Sequence, residues 1–229
     1  MGAVLDLVKV LYDPGAVFTR VGERPRFLAP FVGLAVVQMI LAYLALPYAQ
    51  AAMHAMLAQA PTPQGANAPD PAKFAILGVI FAPIGLLIGL LISTVLLWVL
   101  VSLVGAEAKF ATLLSIVTYA GATSILLGIA GVAVLMLKGV GAVTSPADLQ
   151  PALGLDLLVP DAGRFLTAFL KAVNPFTIWG VILTAIGIQT ALKTPKRAAY
   201  TAAIIAFLIG SLVAASFSLL GPGAGGGAR

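Results

Sequence analysis

Residues 74–104 read FAILGVIFAPIGLLIGLLISTVLLWVLVSLV, a run of 31 residues without one ionisable side chain. A helix rises about 1.5 Å per residue, so this run would measure about 46 Å, more than the roughly 30 Å of hydrocarbon in a bilayer. Pro83 is expected to kink the helix, and the helix ends are expected to project into the headgroups. The run therefore predicts a transmembrane helix.

The composition of the whole chain extends this prediction to the entire protein. Of 229 residues, 61% are hydrophobic and only 9% are charged, whereas a soluble domain carries about 25% charged residues to solvate its surface. The mean hydropathy is +1.08, so most of the surface is expected to face lipid. We predict an all-α integral membrane protein, a bundle of five transmembrane helices with short amphipathic interfacial helices. This transmembrane domain covers residues 28–220, with spans over 28–48, 74–104, 110–137, 176–192 and 198–220.

Residues 1–27 are predicted to form a cytoplasmic amphipathic segment. Its first helix is expected over 3–12, and Asp13 and Pro14 are a typical N-cap and first helical residue for a second helix over 14–21. Apolar faces with adjacent arginines suit an anionic lipid surface. Alternatively, both helices pack beneath the protein's own bundle, and the two interpretations can hold together. The interfacial or lipid-contact candidates in this segment are Phe18, Arg20, Arg24 and Arg26.

Two longer connections and a C-terminal tail complete the chain. Residues 59–73 are rich in Pro, Ala, Gln and Asn, which is typical of an extended aqueous loop. Within 138–174, Asp161 is expected to cap an amphipathic helix that lies at the membrane interface. Residues 221–229 are predicted to be a disordered glycine-rich tail. The lipid-contact candidates of the interfacial helix are Arg164 and Lys171.

The distribution of Lys and Arg predicts the orientation of the protein. With five spans, the N-terminal segment and the turns 105–109 and 193–197 share one side of the membrane. That side holds eight Lys and Arg, against five on the other side. Because the cytoplasmic segments of membrane proteins carry the excess of Lys and Arg, the N-terminus is expected in the cytoplasm and the C-terminus outside.

The residue types that carry catalysis and metal binding are scarce. The chain has no cysteine and one histidine, His54, so a zinc or haem site would lack its usual ligands. The predicted spans contain no Asp, Glu, Lys, Arg or His, which disfavours a proton-coupled transporter. The net charge of +5 is spread over short segments, so no nucleic-acid partner is expected. We predict a protein that is not an enzyme, with no catalytic residue, cofactor or metal.

The third predicted span carries the richest set of polar residues. Thr112, Ser115 and Thr118 recur at three-residue steps and form one polar stripe. The stripe indicates either a groove lined by water or ligand, or helix packing in which the hydroxyls bond back to a helix. Packing is the favoured interpretation, and glycines that allow backbones to approach support it. The helix-packing candidates are Gly85, Gly89, Ser115, Thr118 and Gly121.

Two segments resemble the Yip family of membrane proteins, whose eukaryotic members are Rab-interacting Golgi proteins. Residues 13–30, DPGAVFTRVGERPRFLAP, resemble the entry to the family's first span, and residues 174–189, NPFTIWGVILTAIGIQ, resemble the entry to its fourth. The resemblance is to bacterial members of the family and extends over about residues 10 to 220. The matching residues are Pro14, Phe18, Arg24, Pro25 and Pro30, and then Asn174, Pro175, Phe176, Trp179 and Gly187.

The resemblance implies a membrane scaffold or adaptor that organises partner proteins or lipid in a bacterial inner membrane. Eukaryotic members bind prenylated small GTPases through a long cytosolic N-terminal region, and the short segment here does not support a Rab-type partner. The expected partners are membrane lipid and either other membrane proteins or further copies of this chain. Two alternatives remain open, an accessory subunit of a larger membrane complex and a channel or transporter for an uncharged solute.

Overall fold

The computed structural model describes residues 2–58, 71–105, 107–159 and 162–219, and over these residues the chain is helical with no β-strand. Three 3-10 turns cover Val140–Ala142, Pro146–Leu149 and Leu155–Leu158. The helices are α1 Gly2–Lys9, α2 Pro14–Glu23, α3 Leu28–Leu44, α4 Leu46–Ala58, α5 Pro71–Leu103, α6 Phe110–Ala120, α7 Ala122–Lys138, α8 Arg164–Ala172, α9 Pro175–Ala191 and α10 Lys196–Phe217.

Three helical stretches are long and apolar enough to cross a membrane: Ala75–Leu103, Phe110–Lys138 and Lys196–Phe217. Two further pairs pass the same test when each is taken as one bent span, α3 with α4 at 55° and α8 with α9 at 56°. The all-α integral membrane class is therefore confirmed, with three to five candidate spans among the described residues. The count of five and the amphipathic character of the short helices stay predictions.

The first span ends differently from the sequence prediction. Pro47 and Tyr48 were expected at its far end, but α3 stops at Leu44 and Pro47 is the second residue of a new helix, α4. Proline is tolerated in a first turn because the N–H that it lacks has no acceptor there. The helix therefore bends at this point and continues to Ala58, so His54 lies within α4.

The second and third hydrophobic runs are confirmed as helices with small changes. α5 starts at Pro71 and continues through Pro83, and the third run is divided at Gly121 into α6 and α7. The residue at the N-cap of α8 is Gly163. The expected cap Asp161, the tail 221–229 and most of the loop 59–73 lie outside the described residues.

The chain divides into two compact units. The first consists of Met1–Pro30, Leu90–Ser124 and Ala152–Arg229, and the second of Phe31–Gly89 and Ile125–Pro151. In the second unit, Leu41 of α3 approaches α7 so closely that a Cβ at Gly128 would stand 2.9 Å from its Cδ1. The buried core of this unit is formed by Tyr48, Ala52, Leu135 and Val143.

The core of the first unit is built around α6. Its residues from Thr112 to Ala120 are all buried, and α2, α6 and α9 pack against one another. A helix that is covered on every side is a central element of the unit. The functional candidates of the N-terminal segment and of the third run therefore meet in this unit.

Candidate functional site

Gly187 of α9 is the point at which three helices meet. A Cβ at this position would stand 2.5 Å from Cγ2 of Ile116 on α6 and 3.1 Å from Cε1 of Phe18 on α2. Phe18 and Ile116 are both 0% exposed. The aromatic ring therefore fills the bundle, and the prediction that Phe18 contacts lipid is wrong. The ring fits at this point because Gly187 on α9 has no side chain and leaves room for it.

Two more glycines show the relative directions of these helices. A Cβ at Gly180 would stand 2.7 Å from Oγ1 of Thr123, and one at Gly22 would stand 3.0 Å from the Ala191 backbone. From Gly187 to Gly180 the partner on the third run moves from Ile116 to Thr123, so this run and α9 are antiparallel. On α2, Phe18 meets Gly187 and Gly22 meets Ala191, so α2 runs parallel to α9. Sequence reasoning missed Gly22 and Gly180, although the seven-residue spacing of Gly180 and Gly187 puts both on one helix face.

The polar stripe of the third run is buried within the first unit. The Ser115 hydroxyl donates to the Ala111 carbonyl at 2.8 Å, and the Thr118 hydroxyl donates to the Leu114 carbonyl at 2.7 Å. Both side chains are 0% exposed. Hydroxyls that bond back one helical turn are satisfied without water or ligand. This geometry favours the packing interpretation of the stripe.

The remaining packing candidates differ in their surroundings. Gly85 and Gly89 lie on an exposed side of α5, and a Cβ at either would meet no heavy atom within 4 Å. Neither glycine therefore brings two helices together within the part of the chain that the structure describes. Gly121 stands at the end of α6, where its carbonyl accepts a hydrogen bond from the Ser124 hydroxyl at 2.6 Å.

The N-terminal segment has a buried side and an exposed apolar side. Arg20 donates to the Asp6 carboxylate at 2.6 Å and so ties α2 to α1. On the inner side Val10, Val17 and Val21 are buried. On the outer side α1 leaves a row of large apolar residues exposed. The segment therefore packs against the bundle and also presents an apolar face, formed by Val4, Leu5, Val8 and Tyr12.

The helix directions bring three basic segments to one end of the first unit. Gly22 meets Ala191, and α2 ends one residue later, so Arg24 lies level with the turn that follows α9. Because α6 and α9 are antiparallel, the first residue of α6, which Lys109 precedes, lies toward the C-terminal end of α9. We call this region the basic end, and its exposed cations are Arg24, Arg26, Lys109, Lys193, Lys196 and Arg197.

The candidates on α8 lie where the chain bends into α9. Arg164 is exposed at the first position of α8, and Lys171 is half-buried in its last turn. The Asn174 amide donates to the Lys171 carbonyl at 3.0 Å and its oxygen accepts from the Thr177 N–H at 2.9 Å. Asn174 therefore closes one helix and caps the next, which explains the 56° bend of this pair.

In the second unit, a different polar cluster lies in the connection that follows α7, up to residue 151. One oxygen of Asp148 accepts hydrogen bonds from the backbone N–H groups of Thr144 at 3.0 Å and Ser145 at 2.9 Å. The bond from the Thr144 backbone is the main reason that the pKa of Asp148 lies below its ordinary value, and the two hydroxyls of these residues act in the same direction. The carboxylate thus organises this connection in its charged form.

Within the described ranges, no three His, Cys, Asp or Glu side chains come together in a way that could hold a metal ion. The charged and hydrogen-bonding side chains described above lie mainly at the basic end and in the connections around Asp148 and Asn174.

These features define a helical membrane protein, and the family comparison agrees. The chain belongs to the Yip1 domain family, which matches residues 8–217. It is 26% identical over 210 residues to "Membrane protein YknW" of Bacillus subtilis (strain 168), an alignment that covers 88% of this chain and 85% of that protein. No solved structure matches the chain. The family resemblance noted in the sequence is confirmed.

Proposed function

We propose that this chain is a non-enzymatic scaffold or adaptor of a bacterial inner membrane that organises partner proteins or lipid. One observation carries the proposal. The most deeply buried helix, α6, uses the hydroxyls of Ser115 and Thr118 within its own turns, at 2.8 Å and 2.7 Å. A reactive or conducting interior needs polar groups that remain available to a substrate. The interior of this unit serves packing, so its interactions are expected at the surface.

The surface of the first unit offers two kinds of contact. α1 exposes apolar side chains, with Leu5 at 68% and Val8 at 62%, and the basic end exposes cations that form no ion pair with another described residue. An apolar face beside cations suits the boundary between acyl chains and anionic headgroups. Because the cytoplasmic leaflet is the anionic one, this arrangement supports an N-terminus on the cytoplasmic side.

The first test is the composition of the native particle. The protein is extracted into nanodiscs from its source membrane, and the mass and subunits of the particle are determined. An adaptor is expected to bring foreign subunits in fixed stoichiometry. Particles of this chain alone would contradict the adaptor role and shift attention to self-association or solute flux. If a partner enzyme or pump needs this chain for its turnover as well as its assembly, the chain is an accessory subunit.

The orientation is tested separately, and the absence of cysteine from the chain makes this direct. Glu23→Cys places a thiol at the exposed end of α2, and Ala147→Cys places one in the exposed 3-10 turn after α7. A membrane-impermeant maleimide applied to spheroplasts is expected to label residue 147 and to leave residue 23 unlabelled until the membrane is opened. The reverse pattern would place the N-terminus outside.

A further inference from the structure

One buried polar atom of the structure has no partner. Thr194 is only 5% exposed, and among the described residues its Oγ1 is the one buried side-chain oxygen or nitrogen without a hydrogen bond. An unpaired buried hydroxyl destabilises the folded state, so native proteins rarely keep one without a reason. The residue lies in the turn between α9 and α10, at the basic end.

The same turn leaves the start of α10 open. α10 begins at Lys196 after Pro195, and no side chain caps it, whereas Asn174 caps α9 and Asp13 caps α2. The first N–H groups of a helix have no acceptor within the helix, and they carry its partial positive charge. Only Pro195 separates Thr194 from the first residue of α10, so the unpaired hydroxyl belongs to the residue that precedes the N-cap.

The turn is also strongly basic. Lys193, Lys196 and Arg197 are exposed, and the ion pairs of the described residues do not include them. Lys193 has a φ of +53°, in the left-handed region that residues other than glycine seldom adopt. Lys196 stands 5.7 Å from the centre of the Tyr200 ring. Arg24 follows the end of α2, where Gly22 meets Ala191, so it adds positive charge near this turn.

We propose that this turn binds the phosphate of an anionic phospholipid headgroup. The N–H groups that open α10 and the Thr194 hydroxyl donate hydrogen bonds to the phosphate oxygens, and Lys193 and Arg197 neutralise its charge. The site is defined by four features: an unpartnered buried hydroxyl, an uncapped helix, free cations and a turn at the end of a candidate span. It does not depend on the scaffold or adaptor role.

The course of α10 favours a lipid over free phosphate. Beyond its first two turns α10 exposes large apolar side chains, with Ile204 at 46%, Ile205 at 38% and Leu208 at 41%. A phosphate held at the start of the helix would let its acyl chains follow this surface. Free inorganic phosphate would gain the polar contacts and nothing from the apolar side chains.

The test uses the full chain in nanodiscs of phosphatidylcholine, with and without phosphatidylglycerol. Bound lipid is counted by native mass spectrometry, and thermal stability is measured on the same samples. Phosphatidylglycerol is expected to bind and to raise the melting temperature. A parallel sample in pure phosphatidylcholine receives inorganic phosphate. Equal stabilisation by the inorganic ion would overturn the assignment to a lipid headgroup.

Three variants locate the site. Replacing both cations, Lys193→Gln with Arg197→Gln, is expected to weaken phosphatidylglycerol binding by about tenfold, the effect of losing a charge-assisted hydrogen bond. The matched control is Lys138→Gln, an exposed cation at the C-terminal end of α7, where helix carbonyls repel phosphate. It should change binding by less than about twofold. Equal losses in both would indicate diffuse attraction and would overturn the site.

Thr194→Val gives the sharpest comparison. Valine keeps the shape and removes the unpaired hydroxyl, so in pure phosphatidylcholine the variant is expected to be as stable as wild type or more stable. Its stabilisation by phosphatidylglycerol should nevertheless fall, with binding about threefold to tenfold weaker. Unchanged lipid binding would overturn the role of the hydroxyl. If valine fails to fold, Thr194→Ser and Thr194→Ala replace it, and only serine should retain binding.

Discussion

Helix α6 and the first part of α5 are both apolar, yet their surroundings are opposite. From Thr112 to Ala120 every residue of α6 is buried, whereas over residues 71–89 of α5 no described side chain is buried. The buried helix carries Thr112, Ser115 and Thr118, and residues 71–89 contain no serine or threonine. Both helices are hydrophobic, therefore, and it is the hydroxyl-bearing residues that distinguish the packed helix from the exposed one.

The largest expected effect comes from removing an aromatic ring from the packed side. Phe18→Ala deletes a ring that is 0% exposed, and such changes cost about 3–5 kcal/mol because a cavity remains. Thermal unfolding in detergent should show this loss. The control is Phe81→Ala on α5, where the ring is 54% exposed, and its melting temperature should change little. Similar losses at the two positions would remove the contrast between the helices.

The next effect comes from adding a single methyl group. Gly187→Ala drives a Cβ to 2.5 Å from the Ile116 side chain, and overpacking of this kind costs about 1–3 kcal/mol. Gly85→Ala meets no atom within 4 Å and should be neutral or stabilising, because alanine favours a helix by about 0.8–1 kcal/mol over glycine. Adding Ile116→Ala to Gly187→Ala should recover part of the loss. A destabilised Gly85→Ala would reveal a partner on the exposed side of α5.

A smaller effect is expected from removing one hydroxyl of the stripe. Thr118→Val keeps the shape of the side chain and loses a bond made to its own helix at 2.7 Å, so stability should change by less than about 1.5 kcal/mol. Liposome flux of uncharged solutes should be the same for Thr118→Val, Ser115→Ala and the wild type. A measured flux that both substitutions abolish would restore the groove interpretation.

The smallest effect lies outside both helices, at Asp148. Its lowered pKa means that the charged carboxylate stabilises the folded connection. This contribution is complete above the ordinary aspartate pKa and is lost as the pH falls through the lowered value. Asp148→Asn should therefore cost about 1 kcal/mol or less at neutral pH, and the difference from wild type should vanish in acid. A difference that persists in acid would point to lost packing instead of lost charge.

Much of the helix content follows from the sequence, because long apolar runs and caps act locally. The prediction placed a helix start at Asp13 and Pro14, and the structure has α2 begin at Pro14 with Asp13 as its cap. The bend at Pro47 was missed, since the same proline can end one helix or begin another. For Phe18 the sequence left two interpretations open, contact with lipid and packing beneath the bundle, and the structure has the second. Its burial depends on Gly187, a residue far away in the chain, and the sequence alone does not show that α9 packs against α2.

The pairing of α2 with α9 has a consequence for the order of assembly. Phe18 is made early and its partner Gly187 late, so ribosome-bound chains can pack α2 against α6 but lack its contact with α9 until α9 has been synthesised. During that interval the ring of Phe18 is open to chaperones, to the insertion machinery and to proteases. When α9 enters the membrane, α2 can pack against it, so docking of the N-terminal segment is completed only after α9 is in place.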